Sequence, residues 1–370
     1  LSSESSGTAQ RHLLLDEFYR TSLLVAGRYP LWWLVPPAEE VRYGDYAARL
    51  QDQRFIKPGE AIDLGGIPEV PANEFFGATL WQLYKAMGSP YKSLLKILLL
   101  ETYAAEFPDI RLLSHAYKER IYAGEVARHQ VDPYIMLFDK VEAYLQEQQD
   151  PKRLRLARHA FFHRVGHNLE GRRAGDWRRD YVRAIAGRWE WSAAEQEASA
   201  PGGRETRLEQ ALEERSLLMN ALMRSYRYLS RFARGRGELA AISQQDMNVL
   251  GRRLFAAFER KAGKVERVTE GITYDLYEPR LQVRREGSGS RVRWLLSRVS
   301  HSPADGQTMV KTLHRAFTLV EALTWGHFNL VVQADSVVSV GDAASGVDNL
   351  EVNAILDVLR RHFPQESFSS

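Results

Sequence analysis

Three times between residues 89 and 151 a short polar side chain stands directly before proline: Ser89-Pro90, Asp132-Pro133 and Asp150-Pro151. Proline lacks the backbone N–H that the first helical turn leaves unpaired, and the preceding side-chain oxygen can accept from the open amides of that turn. Each dipeptide therefore predicts a helix start. Glycine and proline supply the stops. The helix opened at Ser89 should run to about Glu106, before Pro108; Gly124 should end the next; and a long amphipathic helix should run from about Arg204 to Arg234, broken by Gly235 and Gly237. From Asn73 to about Lys261 the chain reads as helix after helix.

The flanks read differently. Leu13, Leu14, Leu15, Phe18, Leu23, Leu24 and Val25 predict a helix over about 9–26, ending near Gly27. The short aromatic run from Leu31 to Val35, closed by Pro36 and Pro37, predicts a buried extended strand completing a sheet begun upstream. Beyond Lys264 the apolar residues alternate, so strands are expected over 265–268, 280–285 and 291–299, with a hairpin connection from Glu286. A helix over 307–323, a β-like stretch over 329–340 and a last helix over 350–362 follow. The expected fold is mainly α with a smaller α+β module, divided at 1–40, 41–262 and 263–370. A chain of 370 residues exceeds what one core usually supports.

Composition narrows the function classes. Fifty basic against 47 acidic side chains leave a formal charge of +3, too little to predict nucleic-acid or anionic-membrane binding, so any anion site must be local. The absence of cysteine excludes a disulfide framework, thiolate catalysis and Cys-ligated zinc, and fits a cytoplasmic location. The most apolar stretch, Leu94 to Leu100, is far shorter than the roughly 20 residues that span a bilayer. The chain has no initiator Met, and its polar opening reads as a loop cut from something longer. No P-loop, nucleophile elbow or dinucleotide fingerprint is present.

The cations of the central block are the chief candidates for chemistry. Lys92 and Lys96 lie four apart on one helical face, with Lys92 in a first turn whose dipole favours anions. A lysine there opposes the dipole unless an anion such as phosphate is bound beside it. Lys85 ends the preceding helix, Ser89 begins this one, and Tyr91 offers a ring or a hydroxyl, so together they could cradle a triphosphate. Spacing alone fits a solvated stripe as well. In the first helix Asp16, Glu17 and Arg20 are helix neighbours; they read as a surface ion pair or as a guanidinium held ready for phosphate, with Arg28 just beyond. His159, His163 and His167 share one face but lack converging ligands, and read as solvated. Trp177, Trp189 and Trp191 read as packing anchors, as do Trp32 and Trp33, and Asp132 as a helix cap.

Four blocks in order resemble the class I adenylate cyclases: Arg11 to Thr21, Asp63 to Gly66, Phe76 to Lys92, and Ser225 to Arg234. The resemblance continues through Asp132, Pro133 and Tyr134 and through Lys264 and Val265. It implies conversion of ATP to cyclic AMP and pyrophosphate. It further implies a nucleotidyltransferase-like catalytic domain, in which a Gly-Ser motif precedes an Asp-x-Asp pair holding Mg2+. No such arrangement precedes residue 31, so the metal ligands are expected upstream, and residues 1–40 as the tail end of that domain. The family's carboxy-terminal regulatory region, linked to the sugar phosphotransferase system, is expected to be largely missing.

By the same resemblance Arg20 and Arg28 become ATP-phosphate contacts, although the family pattern often has Lys at position 28. Lys85, Ser89, Lys92 and Lys96 become triphosphate contacts, and Arg20 and Asp132 catalytic residues, the latter in an unspecified role. By itself the chain is then expected to turn over little ATP. The competing reading is a regulatory or scaffolding helical module that does not touch nucleotide. Nucleic-acid binding through the Arg-rich stretch from Ser225 to Arg236 is the weakest reading, given the near-neutral charge.

Overall fold

The computed structural model describes residues 12–57, 59–166, 177–192, 195, 208–235, 265–268, 272, 276–287, 292–301, 308–341 and 346–365. The chain divides into two compact units, one of Leu1–Glu190 with Leu218–Ala256 and one of Trp191–Leu217 with Ala257–Ser370. Mainly helical structure with a smaller α+β part is what the residue patterns predict.

In the first unit the helices are α1 His12–Tyr19, α2 Tyr43–Asp52, α3 Ala72–Lys85, α4 Pro90–Glu106, α5 Leu113–Tyr122, α6 Pro133–Glu147, α7 Pro151–Gly166 and α8 Trp177–Arg188. The part of α9, Leu208–Arg234, that follows Leu217 also belongs to it. The central helix is α4, packed by α3, α6 and α7. From Tyr91 to Ala104 every residue of α4 is buried except Lys92 and Lys96, which are half-buried, as expected of a helix apolar on nearly all sides. The proline-marked starts all hold. Asp132 Oδ1 accepts from the amides of Tyr134 at 2.9 Å and Ile135 at 3.2 Å, and Asp150 Oδ1 from that of Arg153 at 3.2 Å. Ser89 occupies the cap position of α4 but makes no side-chain cap bond. Gly124, at φ +78°, turns the chain out of α5.

A buried charge network ties α4, α6, α7 and α9 together. Glu101, 3% exposed, accepts from Arg153 Nη1 at 2.7 and 2.9 Å, from the Tyr144 hydroxyl at 2.9 Å and from Ser225 Oγ at 2.6 Å. Arg153 Nε also donates to Asp150 Oδ2 at 2.8 Å. Removing one member leaves an uncompensated buried charge, which costs about 3–5 kcal/mol. Arg153→Met should therefore lower the urea unfolding free energy by roughly that amount, and adding Glu101→Gln should recover part of it.

Two expectations for the opening segment fail. The first helix stops at Tyr19, and the chain then turns through Ser22 at φ +53°, Ala26 at +50° and Gly27 at +79° into a Val25–Arg28 bridge. Leu23 and Leu24, which extend the apolar pattern, are 59% and 61% exposed, so the periodicity there reports a surface rather than a core. The expected strand from Leu31 is a short 3-10 helix, Leu31–Leu34. Only β1, Tyr29–Pro30, is extended, and it pairs in parallel with the downstream β2, Ala61–Ile62. An extended chain would send Leu31 and Trp32 to opposite faces, whereas the tight turn buries both.

Trp32 stacks on Tyr19 with ring centres 4.3 Å apart and planes 2° from parallel, and its Nε1 donates to Glu40 Oε1 at 2.6 Å. Glu40 also receives Lys118 Nζ at 2.9 Å, and that ammonium, 1% exposed, lies 3.9 Å from the centre of the Trp32 ring. Burial works to raise the Glu40 carboxyl, but His115, Lys118 and Trp32 outweigh it and bring it from 4.5 to about 2. A carboxyl depressed on folding contributes stability that is complete above its unfolded value and lost as pH falls through its folded one. Glu40→Gln should thus flatten the acid-induced loss of stability between 4.5 and about 2, as read from urea titrations across that range.

The second unit holds a four-stranded sheet in the order β5-β4-β3-β6, with β3 Arg280–Glu286, β4 Arg293–His301, β5 Thr308–Ala316 and β6 Val337–Val340. The β3/β4 and β4/β5 pairs are antiparallel and β3/β6 is parallel. Helix α10, Leu319–Phe328, packs on β4 and β5, and α11, Asn349–His362, packs on α10 and β6. A Cβ at Gly326 would stand 2.9 Å from Leu296 Cδ2, so glycine permits the close approach of α10 to β4. The helix expected over 307–323 is mostly β5. Its Thr308, Val310 and Thr312 are β-branched and pair along β4, and the helix begins only after the Thr318 cap. Residues 265–268 are irregular rather than a strand, because the Val268 amide is bonded by the buried Asn329 side chain at 2.6 Å instead of a neighbouring strand. Within 329–340 only β6 is extended. The last helix is as predicted, with an Asp348/Glu351 capping box.

Candidate functional site

The candidate cations meet around α1. Lys96, reaching out of α4, bonds Glu17 Oε1. Burial works to raise the Glu17 carboxyl, but Lys96, then Arg20 and Lys85, hold it below its ordinary value. Lys96 thus bonds this carboxylate, while Arg20, just past α1, and Lys85, at the end of α3, act on it electrostatically. Lys85 is exposed and its ammonium lies 4.8 Å from the centre of the Trp81 ring. Lys92 is half-buried one turn before Lys96, and Ser89 is exposed at the start of α4, where its side chain leaves the first-turn amides uncapped.

Arg20 is not a surface group. It is 6% exposed, with Nε donating to the Asp16 carbonyl at 3.0 Å and Nη2 3.3 Å from Asp16 Oδ2. Burial works to lower the guanidinium pKa, and Asp16, Tyr103, Glu17 and Tyr134 more than offset it. Asp16 is itself 1% exposed and also accepts from the Tyr103 hydroxyl at 3.0 Å and the Ser114 amide at 2.8 Å. The surface ion pair that spacing allows is therefore a buried one. Arg28, by contrast, lies exposed in the Val25–Arg28 turn, and among the described residues no contact joins it to this cluster.

Asp132 has two tasks. Oδ1 caps α6, while Oδ2 receives Arg178 Nη2 at 3.0 Å and Nε at 3.3 Å. The next residue but one, Tyr134, is among the groups acting on Arg20, so Asp132 fixes the turn that faces the cluster. The Arg178 partner lies 46 residues away, and no local signal in the sequence marks it. Tyr134, directly after the Asp-Pro step, could have been found as the first residue exposed by that cap.

Other candidates resolve as packing. Tyr91 is 4% exposed, with its ring centre 4.4 Å from that of His163 and 5.5 Å from that of His159, so its face is not open for stacking. His167 lies outside the described residues. Trp189 packs edge-on to Phe138, with ring centres 5.4 Å apart. The Asp63–Gly66 segment is a clasp. Asp63 Oδ1 accepts from the Tyr43 hydroxyl at 2.6 Å and the Gly65 amide at 2.9 Å, and the Gly65 carbonyl accepts from Tyr19 at 2.5 Å. Gly65 needs its freedom at φ +90°, and a Cβ on Gly66 would meet the Tyr43 ring at 2.9 Å. No group of three His, Asp or Glu among the described residues could hold a metal ion, and no helix among them is long and apolar enough to cross a membrane.

These roles separate in mutants. Asp132→Asn keeps a good cap and loses the Arg178 ion pair, whereas Asp132→Ala loses both. The alanine variant should be less stable than the asparagine variant by about 1 kcal/mol in urea titrations.

The family described as adenylate cyclase, class-I, second domain, matches residues 70–269, and the adenylate cyclase NT domain matches residues 1–33. Adenylate cyclase of Salmonella typhimurium (strain LT2) is 38% identical over 376 residues, covering 98% of this chain and 43% of the relative. That of Escherichia coli (strain K12) is also 38% identical over 376 residues, and that of Yersinia intermedia 36% over 375. The chain spans less than half the length of these relatives. No solved structure matches it.

Proposed function

The chain belongs to the class-I adenylate cyclase family, and from that membership we propose that it is the part of an ATP-cyclising enzyme that grips the triphosphate tail. The observation that carries this reading is the bond of Lys96 to the Glu17 carboxylate, on which Arg20 and Lys85 also act electrostatically. A carboxylate inside a cationic cluster occupies the place a phosphate oxygen would take, and its bond to Lys96 holds that ammonium extended toward the site. Lys92 and the uncapped amides at Ser89 extend the positive field along the start of α4. Arg28 has no part in this arrangement.

Cyclisation has the ribose 3'-oxygen attack the α-phosphorus in line while pyrophosphate departs, so negative charge builds on the leaving group. Cations fixed in place, as half-buried Lys96 is by Glu17, would stabilise that charge without reorganising. Arg20 acts here chiefly by keeping α1 in place, with its charge directed into the cluster. Asp132 is a positioning residue that holds Tyr134 and Arg178. The described residues do not fit Mg2+, whose chemistry in such a reaction is to acidify the attacking hydroxyl. In this reading residues 1–40 close off a nucleotidyltransferase-like domain whose acidic residues lie elsewhere in the full-length protein. Regulation through sugar phosphotransferase components would act on that whole protein.

Calorimetric titration with a non-cyclisable ATP analogue tests the reading. Lys92→Ala with Lys96→Ala should weaken binding by about tenfold or more, and Glu17→Gln, which releases Lys96, should tighten it. Unchanged binding in the double variant would favour a scaffolding module instead. Metal-dependent cyclic AMP formation by the 370-residue chain alone would overturn the placing of the metal ligands elsewhere.

A further inference from the structure

A cavity of about 660 Å³ runs along α8 from Tyr181, one turn beyond Arg178, to Arg188. Its wall is built by Arg120 from α5, His129 and Gln130 from the segment leading to α6, Asp139 from α6, and Tyr181 and Arg188 from α8. Arg120 Nη1 donates to the Gln130 carbonyl, and Arg188 reaches the Tyr181 hydroxyl. Among the described residues neither guanidinium forms an ion pair with a carboxylate, and Asp139 is the acid of the wall that lies in the field of both. The His129 ring lies flat against Tyr181, with ring centres 5.7 Å apart, which fixes a third nitrogen donor at the rim.

The nearest carboxyl is poised to admit an anion. Partial loss of solvation and neighbouring Glu142 push the Asp139 carboxyl, which still reaches solvent, up to about 6, against the opposing pull of Arg188, Arg120 and His129. Glu142 is itself engaged by Arg158 Nε at 2.8 Å, and Tyr181 is held protonated, its pKa raised by burial and by Asp139. In mild acid Asp139 turns from a repelling charge into a hydrogen-bond donor.

We propose that this cavity binds a small oxyanion, carboxylate or phosphoryl in kind, gripped by Arg120 and Arg188, with His129 and Asp139 completing its hydrogen bonds. The arrangement has no contact with the Glu17 cluster and does not depend on the reading given to it. Anion affinity rises as pH falls, since protonation of Asp139 removes its repulsion.

The probes are sulfate, which keeps its charge across the range, and succinate as the carboxylate, each titrated into the 370-residue chain by calorimetry at about pH 8 and about pH 5.5. Saturable binding, tighter by about tenfold for sulfate at the lower pH, is expected. Whichever probe binds more tightly identifies the source class. Arg188→Gln, at an exposed position, should weaken sulfate at least about tenfold, and Asp139→Asn should tighten it at the higher pH and reduce the pH dependence. Lys92→Ala with Lys96→Ala should leave in place the component of sulfate binding that Arg188→Gln removes. Absence of saturable binding of either probe, or binding that survives Arg188→Gln but is lost with the two lysines, would overturn the proposal.

Discussion

The first unit depends on one buried carboxylate. Asp16, at 1% exposure, joins its own helix to Arg20, α4 through Tyr103 and the start of α5 through the Ser114 amide. A desolvated carboxylate is tolerable only with its lone pairs filled, and here each partner comes from a different part of the chain. The Leu113 amide donates in turn to the Tyr103 hydroxyl at 2.9 Å, so the first turn of α5 is satisfied from outside itself. Because these bonds are mutually exclusive with other placements of α1, they set where Glu17, one residue on, must face.

That placement gives the cluster its electrostatic character. Lys96 leaves a helix that is otherwise buried and meets Glu17 at the edge of the packed layer. A lysine pair on such a helix would serve little purpose for packing, and an ammonium held by a carboxylate is a charge kept in place rather than spent. Asp132 works the same way at one remove, with one oxygen on the backbone of α6 and the other on Arg178. Both acids act through what they hold.

Helix boundaries were the most legible feature, and for a local reason. A cap followed by proline is specified within four residues, and α6 and α7 begin where Asp132 and Asp150 say they should. The last helix, with its Asp348/Glu351 box, was equally plain. The failures lie where a local pattern was ambiguous. Leu31 to Val35 is apolar enough for a strand, yet the stacking of Trp32 on Tyr19 and its bond to Glu40 are what fold it into a tight turn. Residues 308–316 carry both helical and alternating spacing, and only pairing with β4 decides between them.

By itself the sequence determined the helical class, the order of the central helices, the basic residues worth attention and, through four ordered blocks, the family. These depend on near neighbours in the chain, whose chemistry is fixed before folding. Only the tertiary structure decided that Arg20 is buried, that Arg28 stands apart, that Asp132 holds Arg178, and that Asp63 to Gly66 clasps two tyrosines. Most of those outcomes depend on residues tens of positions apart, and the free energy of a buried ion pair or hydrogen bond depends on the partner and the loss of water that only packing supplies.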